Sequence, residues 1–493
     1  MSPIEAIRRA RRYWGTHGTR QLARESVARL VRKILGPSYT ASGLPAADNP
    51  TRSMSPIETI RRARRYWRIH GTRQFLRESL ARLARKILGP SYTVAGGLPV
   101  SDEHGWVSVG DLARKQAQMC APLRLFSVPT SEPPRVSVVT DSINRGSLYG
   151  GVGTAIILAA LVAEACAARL RIVTRTERAQ PTGLETVLNT YGISLSHDVE
   201  FVFAPFYDTA YEIDFFEREL FITTSWWTTA ATLGSVRSES IVYLLQEDER
   251  MFYPHGDEHL RCSRILANRD IRFVINTRLL FEHLVASGLP NIADRGTWFE
   301  PSFPHEVFHP RERADGAKRT LMFYARPNNV RNLFFFGIEI LEAAIARGII
   351  DLQQWDLLLV GKDIPKLRFD DGRYSPRVQE NLSWTQYAAL AGQVDLALCL
   401  MYTPHPSYPP FDLAASGAVV VTNRFGNKQD LGGYSRNIIC GDTDLESMLE
   451  AMAQGARLAT DAHQRGENYR ANRLGSDWTR SLADVVRQVS GMH

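Results

Sequence analysis

The chain has 493 residues, 44% apolar and 23% charged, which excludes a disordered polyelectrolyte and provides apolar material for more than one buried core. Its five cysteines (Cys120, Cys166, Cys262, Cys399, Cys440) form no CxxC pair, which excludes a disulfide framework or zinc module and suits a reducing cytosol. The net charge of +7 is unevenly placed: residues 1–100 hold 20 Lys and Arg against 5 Asp and Glu, the remainder 39 against 47, so the pI gives no ground for nucleic-acid binding by the body of the chain.

The first feature is a tandem repeat. Met1–Thr40 recurs at Met54–Thr93 with seven differences. Each copy reads as two amphipathic helices: Ile57, Ile60, Ala63 and Trp67 share one face, and Leu76, Leu80, Leu83 and Ile87 another. Gly36-Pro37 and Gly89-Pro90 stop the units. The copies occupy 1–53 and 54–100, and 101–134 reads as a linker with one modest helix. Basic residues beside an apolar stripe and Trp14 or Trp67 suit an interfacial helix on an anionic membrane surface. They suit equally a cap packed on a partner enzyme. No apolar signal core opens the chain, and the expected location is cytoplasmic, peripheral at the inner face of the membrane.

From Arg135 short apolar runs alternate with helical stretches: 136–140, 170–174, 199–203, 220–224, 241–245 and 273–276. A second run has strands at 321–325, 356–360, 396–400, 418–422 and 437–440. This is the pattern of doubly wound α/β domains. The expected fold is two Rossmann-like domains, 135–300 and 301–470, facing each other across a cleft. The Pro- and aromatic-rich 297–310 serves as hinge, and a helical tail (471–493) crosses back onto the first domain. Thr154–Ala168 is too short for a bilayer span and carries Glu164, so it reads as a buried helix.

Three loops carry candidate chemistry. Ser147-Leu-Tyr-Gly-Gly-Val-Gly153 follows the first strand, and its glycines allow close backbone approach to a ligand or simply a tight turn. Arg326 and Arg331, in Ala325-Arg-Pro-Asn-Asn-Val-Arg-Asn332, are two permanent cations that either grip a diphosphate or lie solvated in an ordinary surface loop. Pro404-His-Pro-Ser-Tyr-Pro-Pro-Phe-Asp-Leu-Ala-Ala-Ser-Gly417 puts Asp412 at the opening of a small-residue helix, as a ligand for sugar hydroxyls or as an N-cap. His405 reads as a structural loop histidine rather than a base. The acidic runs Glu247–Glu249 and Asp370-Asp371 read as solvated loops, and no DxD motif precedes a strand end, so no metal or cofactor is expected.

These motifs, in this order, resemble the family-4 glycosyltransferases, whose architecture is the two-Rossmann GT-B fold. Ala325-Arg326-x4-Arg331 is similar to the family's G-R-x4-K. Pro404–Gly417 falls on its E-x7-E segment, with Asp412 in place of the second Glu and Pro404 in place of the first. Val360-Gly361, Phe425-Gly426-Asn427, Gly150-Gly151-Val152-Gly153 and Val274–Thr277 with Arg278 match further loops. The family's first-domain His is replaced around Thr224-Ser225-Trp226. Within the family the pattern looks most like bacterial dTDP-rhamnose-dependent rhamnosyltransferases of surface-glycan assembly.

The resemblance implies a nucleotide-diphosphate sugar, dTDP-rhamnose, held by Arg326, Arg331, Gly361, Ser407, Tyr408 and Asp412, with Arg278 as a third cation. A glycan acceptor, lipid-linked chains included, would lie near Gly150, Gly151, Gly153, Ser225 and Trp226. Asp208 would position or deprotonate its hydroxyl, or be an ordinary turn aspartate. Two rival readings share the fold: a nucleotide-sugar 2-epimerase and a non-catalytic membrane-bound scaffold.

Overall fold

The computed structural model describes residues 108–129, 132–144, 148–208, 211–312 and 317–491. The repeat at 1–100 lies outside the described residues. The chain divides into two units, Met1–Ala117 and Gln118–His493. The described part of the first unit includes one helix, Val109–Ala117, close to the modest helix expected in the linker.

The second unit contains two parallel sheets. Its strands are β1 (Leu125–Ser127), β2 (Arg135–Thr140), β3 (Arg169–Thr174), β4 (Glu200–Phe203), β5 (Ile213–Phe215), β6 (Glu219–Thr223), β7 (Ile241–Leu245), β8 (Arg272–Asn276), β9 (Gly296–Phe299), β10 (Arg319–Ala325), β11 (Trp355–Gly361), β12 (Arg377–Glu380), β13 (Leu396–Leu398), β14 (Val419–Asn423) and β15 (Ile438–Gly441). The first sheet runs β4-β3-β2-β6-β7-β8-β9 and the second β12-β11-β10-β13-β14-β15, all parallel. A small parallel pair, β1-β5, stands apart. Every residue of β2, β6 and β7 is buried, which is why these strands read as unbroken apolar runs rather than alternating ones. Each sheet reverses its winding once, between β2 and β6 and between β10 and β13, and ligands bind beyond the strand ends at such points.

Helix Gly153–Ala165 is apolar over most of its length because nearly all of Gly153–Ala163 is buried. It packs on the first sheet and under Trp478, Leu482, Val485 and Val489 of the last helix, Trp478–Ser490. The end of the chain is not one continuous helix. It breaks between Ala462–Arg470 and Trp478–Ser490, where Gly475 pairs with Ser302 and Asp477 caps the second helix through the Thr479 and Arg480 N–H groups. Among the described residues no helix is long and apolar enough to cross a membrane.

At the amino ends of β2, β3 and β6 a charged cluster is closed on itself. Arg135 Nε donates to Glu219 Oε2 at 3.1 Å, Arg171 Nε to the Ser137 hydroxyl at 2.9 Å, and Arg171 also pairs with Glu219. Arg171 is fully buried and Glu219 is 3% exposed. Removing one partner of a buried pair leaves an uncompensated charge, at a cost of about 3–5 kcal/mol. Glu219→Ala is therefore expected to lower unfolding free energy by that amount, measured by urea denaturation, whereas Glu446→Ala, which breaks an exposed pair with Arg347, should leave the denaturation midpoint nearly unchanged.

Candidate active site

A cavity of about 590 Å³ opens where the carboxyl ends of the two sheets meet. The first domain contributes Gly150, Gly153, Thr154 and Tyr191; the second contributes Arg326, Asn332, Gly361, Lys362, Tyr387, Ser407, Tyr408 and Asp412; and Trp478 of the returning helix closes the lining. The domains touch through side chains around it. The Tyr408 hydroxyl bonds Thr154 Oγ1 at 2.6 Å and accepts from Asn276 Nδ2 at 2.8 Å.

The glycine loop is a wide helical turn, Leu148–Val152, leading into helix Gly153–Ala165. Gly150 takes φ +107°, open to glycine at no cost, and faces the cavity. Gly151 is not in the lining; its carbonyl accepts from the Gln246 amide, and a Cβ there would lie 2.9 Å from that nitrogen. Gly361 lines the cavity, but it also passes the β10 backbone so closely that a Cβ would lie 1.8 Å from the Ala325 carbonyl oxygen. Its first duty is to let β10 and β11 turn past each other.

Ser407 is held at φ 72° and ψ 156°, a strained conformation for a residue with a Cβ. Its N–H donates to His405 Nδ1 at 2.9 Å, so the neutral imidazole carries its proton on Nε2. Burial pulls His405 down to about 3, with Lys428 and Arg331 adding to the effect. His405 thus shapes the loop and has no basic nitrogen to offer.

Asp412 does not cap the helix that follows. Helix Tyr408–Ala415 begins four residues earlier, with Pro409 and Pro410 in its first turn, and Asp412 points into the cavity lining from mid-helix. It is 8% exposed, and burial pushes its carboxyl up to about 8 despite the facing Tyr387 hydroxyl.

The two loop arginines part company. Arg326 lines the cavity, its Nη1 3.4 Å from the Tyr324 hydroxyl. Arg331 stands beside the cavity, its guanidinium 3.9 Å above the Phe252 ring and its Nη1 3.8 Å from Glu247 Oε2. Asn332, which the sequence did not single out, lines the cavity with its Oδ1 buried and without a partner.

Comparison with known proteins bears on this arrangement. Residues 135–275 match the N-terminal domain of WsaF, and residues 319–453 match its C-terminal domain; together they take in more than half of the chain. The chain carries both WsaF domains and belongs to that family. It is also 29% identical over 259 residues to the O-antigen biosynthesis protein RfbC of Myxococcus xanthus, a stretch that is 50% of this chain and 19% of that protein, so the chain spans about a fifth of that relative's length. Similar solved structures include sucrose-phosphate synthase from Thermosynechococcus elongatus (13% identity, TM-score 0.48, covering 73% of this chain and 100% of that one). Anabaena HepE in complex with UDP is another (12% identity, TM-score 0.46, 72% and 100%).

Both WsaF domains reach the cavity, but several residues expected there do not. Arg278 lies beyond the matched N-terminal WsaF residues, and its Nε donates to Glu282 at 2.6 Å, one turn along its own helix, outside the cavity lining. Asp208 sits in an exposed turn after β4, also outside the lining. Ser225 caps helix Trp226–Leu233 in a reciprocal capping box with Thr228. Trp226 is packed in the core, its backbone N–H donating to Glu249 Oε2 at 2.9 Å.

The acidic run after β7 is not solvated: Glu247, Asp248 and Glu249 are all buried. Burial pushes Glu249 up to about 8. Asp370 and Asp371 do lie in a surface turn, Asp370 paired with Arg373. Among the described residues no three His, Cys, Asp or Glu side chains gather as a metal cage requires. What the sequence missed is Lys362, Tyr387, Asn332 and Trp478, all in the cavity lining. Lys362 follows Gly361 directly, so the loop match already pointed at it.

The Asp412 carboxyl gives a signed pH test. An unfolded aspartate titrates near ~4, so between about 4 and 8 the folded state holds a proton that the unfolded state releases, and stability falls as pH rises through that interval. Asp412→Asn deletes this slope. The melting temperature of the variant relative to wild type is expected to be higher at pH 8.5 than at pH 5; a constant difference would place the carboxyl near its ordinary value.

Proposed function

We propose that the chain transfers L-rhamnose from dTDP-L-rhamnose to a surface-glycan acceptor, lipid-linked chains included. The observation that carries a nucleotide-sugar donor is the cavity itself: it lies at the winding reversals of two parallel sheets, has a volume fit for such a ligand, and combines Arg326 and Lys362 with the buried Asp412. The choice of rhamnose rests on the loop pattern and on the WsaF match. The choice of a surface glycan is supported by the name of the Myxococcus relative.

In this reading the diphosphate lies against Arg326 and Lys362, fixed cations that need no reorganisation as charge builds on the leaving group. The bond from the sugar's anomeric carbon to the phosphate oxygen breaks as the acceptor oxygen bonds to that carbon. The acceptor proton passes to the departing phosphate or to water. Asp412 accepts ribose or sugar hydroxyls, and the orphan Asn332 Oδ1 gains the donor it lacks. Ser407 and Tyr408 shape the same wall, and Gly150 and Gly153 border the acceptor's entry. No metal or cofactor is assigned to the step.

A melting-point screen against dTDP, UDP, GDP and their sugars reads base and sugar together, because a ligand of the folded state alone raises the transition. The largest rise is expected with dTDP and dTDP-L-rhamnose. A flat response to all of them overturns the donor reading, and a rise with UDP or GDP alone moves it to another base. Arg326→Ala should weaken nucleoside-diphosphate binding roughly 10- to 150-fold, the loss of one charge-assisted contact of about 1.5–3 kcal/mol, measured by calorimetry.

For residues 1–93 we propose an anchor at the cytoplasmic face of an anionic membrane, which keeps the enzyme beside its acceptor; each basic residue near such a surface adds about 1 kcal/mol. Deleting 1–53 leaves one complete unit and should leave vesicle binding measurable. Deleting 1–93 should abolish sedimentation with phosphatidylserine vesicles while sparing dTDP binding. Persistent sedimentation of the longer deletion would transfer the role to the α/β body.

A further inference from the structure

Beside the cavity the two domains share buried polar side chains that the donor reading leaves without a task. Glu247, in the loop after β7, is 8% exposed and reaches across the cleft. Its Oε2 accepts the Thr403 hydroxyl at 2.7 Å and lies 3.8 Å from Arg331 Nη1, while its Oε1 takes the Asp248 N–H at 3.1 Å. Arg331 is steadied from the same side by the Phe252 ring. A cation of the second domain is thus oriented by groups of the first.

The surroundings explain why the acid comes from there. Thr403-Pro404-His405-Pro406-Ser407, the second-domain loop at this place, carries no carboxylate of its own. It meets Arg331 and also Lys428, which is fully buried with its Nζ on the Met401 carbonyl at 2.7 Å. Burial pulls both cations below their ordinary values, and the Glu247 carboxylate offsets part of that. Two buried cations with no acid beside them would be expensive. The 3.8 Å approach is an ion pair too long for a hydrogen bond, so Nη1 stays available to donate to an oxygen of a ligand.

We propose that Glu247 is a positioning residue for the transfer: reaching over from the first domain, it holds the Arg331 guanidinium beside the departing diphosphate, so that this cation is in place only when the domains are closed. The proposal rests on the donor reading above. Glu247 acts through Arg331 and touches neither donor nor acceptor.

The test uses the full chain and four proteins: wild type, Glu247→Gln, Arg331→Ala and the double variant. Gln keeps an acceptor for Thr403 and removes only the charge. dTDP affinity is measured by calorimetry, cleavage of dTDP-L-rhamnose as initial rates, and folding by melting temperature. Glu247→Gln is expected to bind dTDP as tightly as wild type or up to about threefold tighter, because a like charge leaves the phosphate site, while kcat falls at least tenfold. In the Arg331→Ala background the same change should alter kcat by less than about twofold, since its partner is gone.

Wild-type kcat in Glu247→Gln overturns the proposal, as does a kcat loss that persists undiminished without Arg331. Parallel loss of dTDP affinity and melting temperature also overturns it, since that marks a purely structural contact. Failure of wild type to bind any nucleoside diphosphate removes the donor reading beneath it, an outcome distinct from the other three.

Discussion

Trp478 fastens the last helix to the first α/β domain, and the geometry of the cleft follows from that. The side chain is 4% exposed, packs against Phe299 and Tyr191, and borders the cavity. With Leu482, Val485 and Val489 it enters the same core as helix Gly153–Ala165. Burying such side chains contributes roughly 1.5–3 kcal/mol each, enough to hold a helix that has left the domain before it in sequence. The chain consequently passes between domains twice, and the two passages lie side by side. The Phe303 N–H donates to the Gly475 carbonyl at 2.6 Å, and the Ser302 and Ser481 hydroxyls meet at 2.6 Å. Paired crossings of this kind permit rotation about a shared line and little else, so the carboxyl ends of both sheets stay turned toward one cavity.

Buried charge is treated differently at the amino ends of the first sheet and at the carboxyl ends of both sheets. At the amino ends Arg135, Arg171 and Glu219 spend their hydrogen bonds on one another and on Ser137 and Asp214, a closed network that asks for nothing more. At the carboxyl ends the accounting stays open. Asn276 Oδ1, Asn332 Oδ1 and His405 Nε2 are buried without partners, while burial drives Asp412 and Glu249 toward their neutral forms. A folded protein tolerates few such atoms, and the two that line the cavity, Asn332 Oδ1 and the Asp412 carboxyl, mark it as a candidate ligand site.

Much of this was legible in the sequence, and the reasons differ by element. β2, β6 and β7 announce themselves because both faces of a parallel sheet are covered, so their residues need no alternation. β12 (Arg-Val-Gln-Glu) is an edge strand with little burial, and β5 and β1 are three residues long; nothing local distinguishes them from loops. Arg326 was visible because a cation directly after a central strand can only sit at the mouth of the sheet. Arg278 follows the same rule, yet a glutamate one turn on takes its guanidinium away. Glu247 to Glu249 were misread for a further reason. A local window shows three acids in a row, while the Thr403 hydroxyl that makes burial tolerable for Glu247 stands 156 residues away.

The same long-range logic bears on what the second-domain loop lacks. Pro404 stands where the resembling enzymes carry an acid, and a reading confined to that loop concludes that the site is impaired. The fold offers a different resolution. Its loop partner is the first domain, which presents Glu247 to Thr403, the residue just before that proline. An acid supplied by the loop itself would act on the neighbouring cations in every arrangement of the domains. Supplied from across the cleft, it occurs in the same arrangement in which the Tyr408 hydroxyl meets Thr154 and Asn276. The carboxylate beside Arg331 and Thr403 thus belongs to the other domain, and its effect on that cation is tied to how the two domains meet.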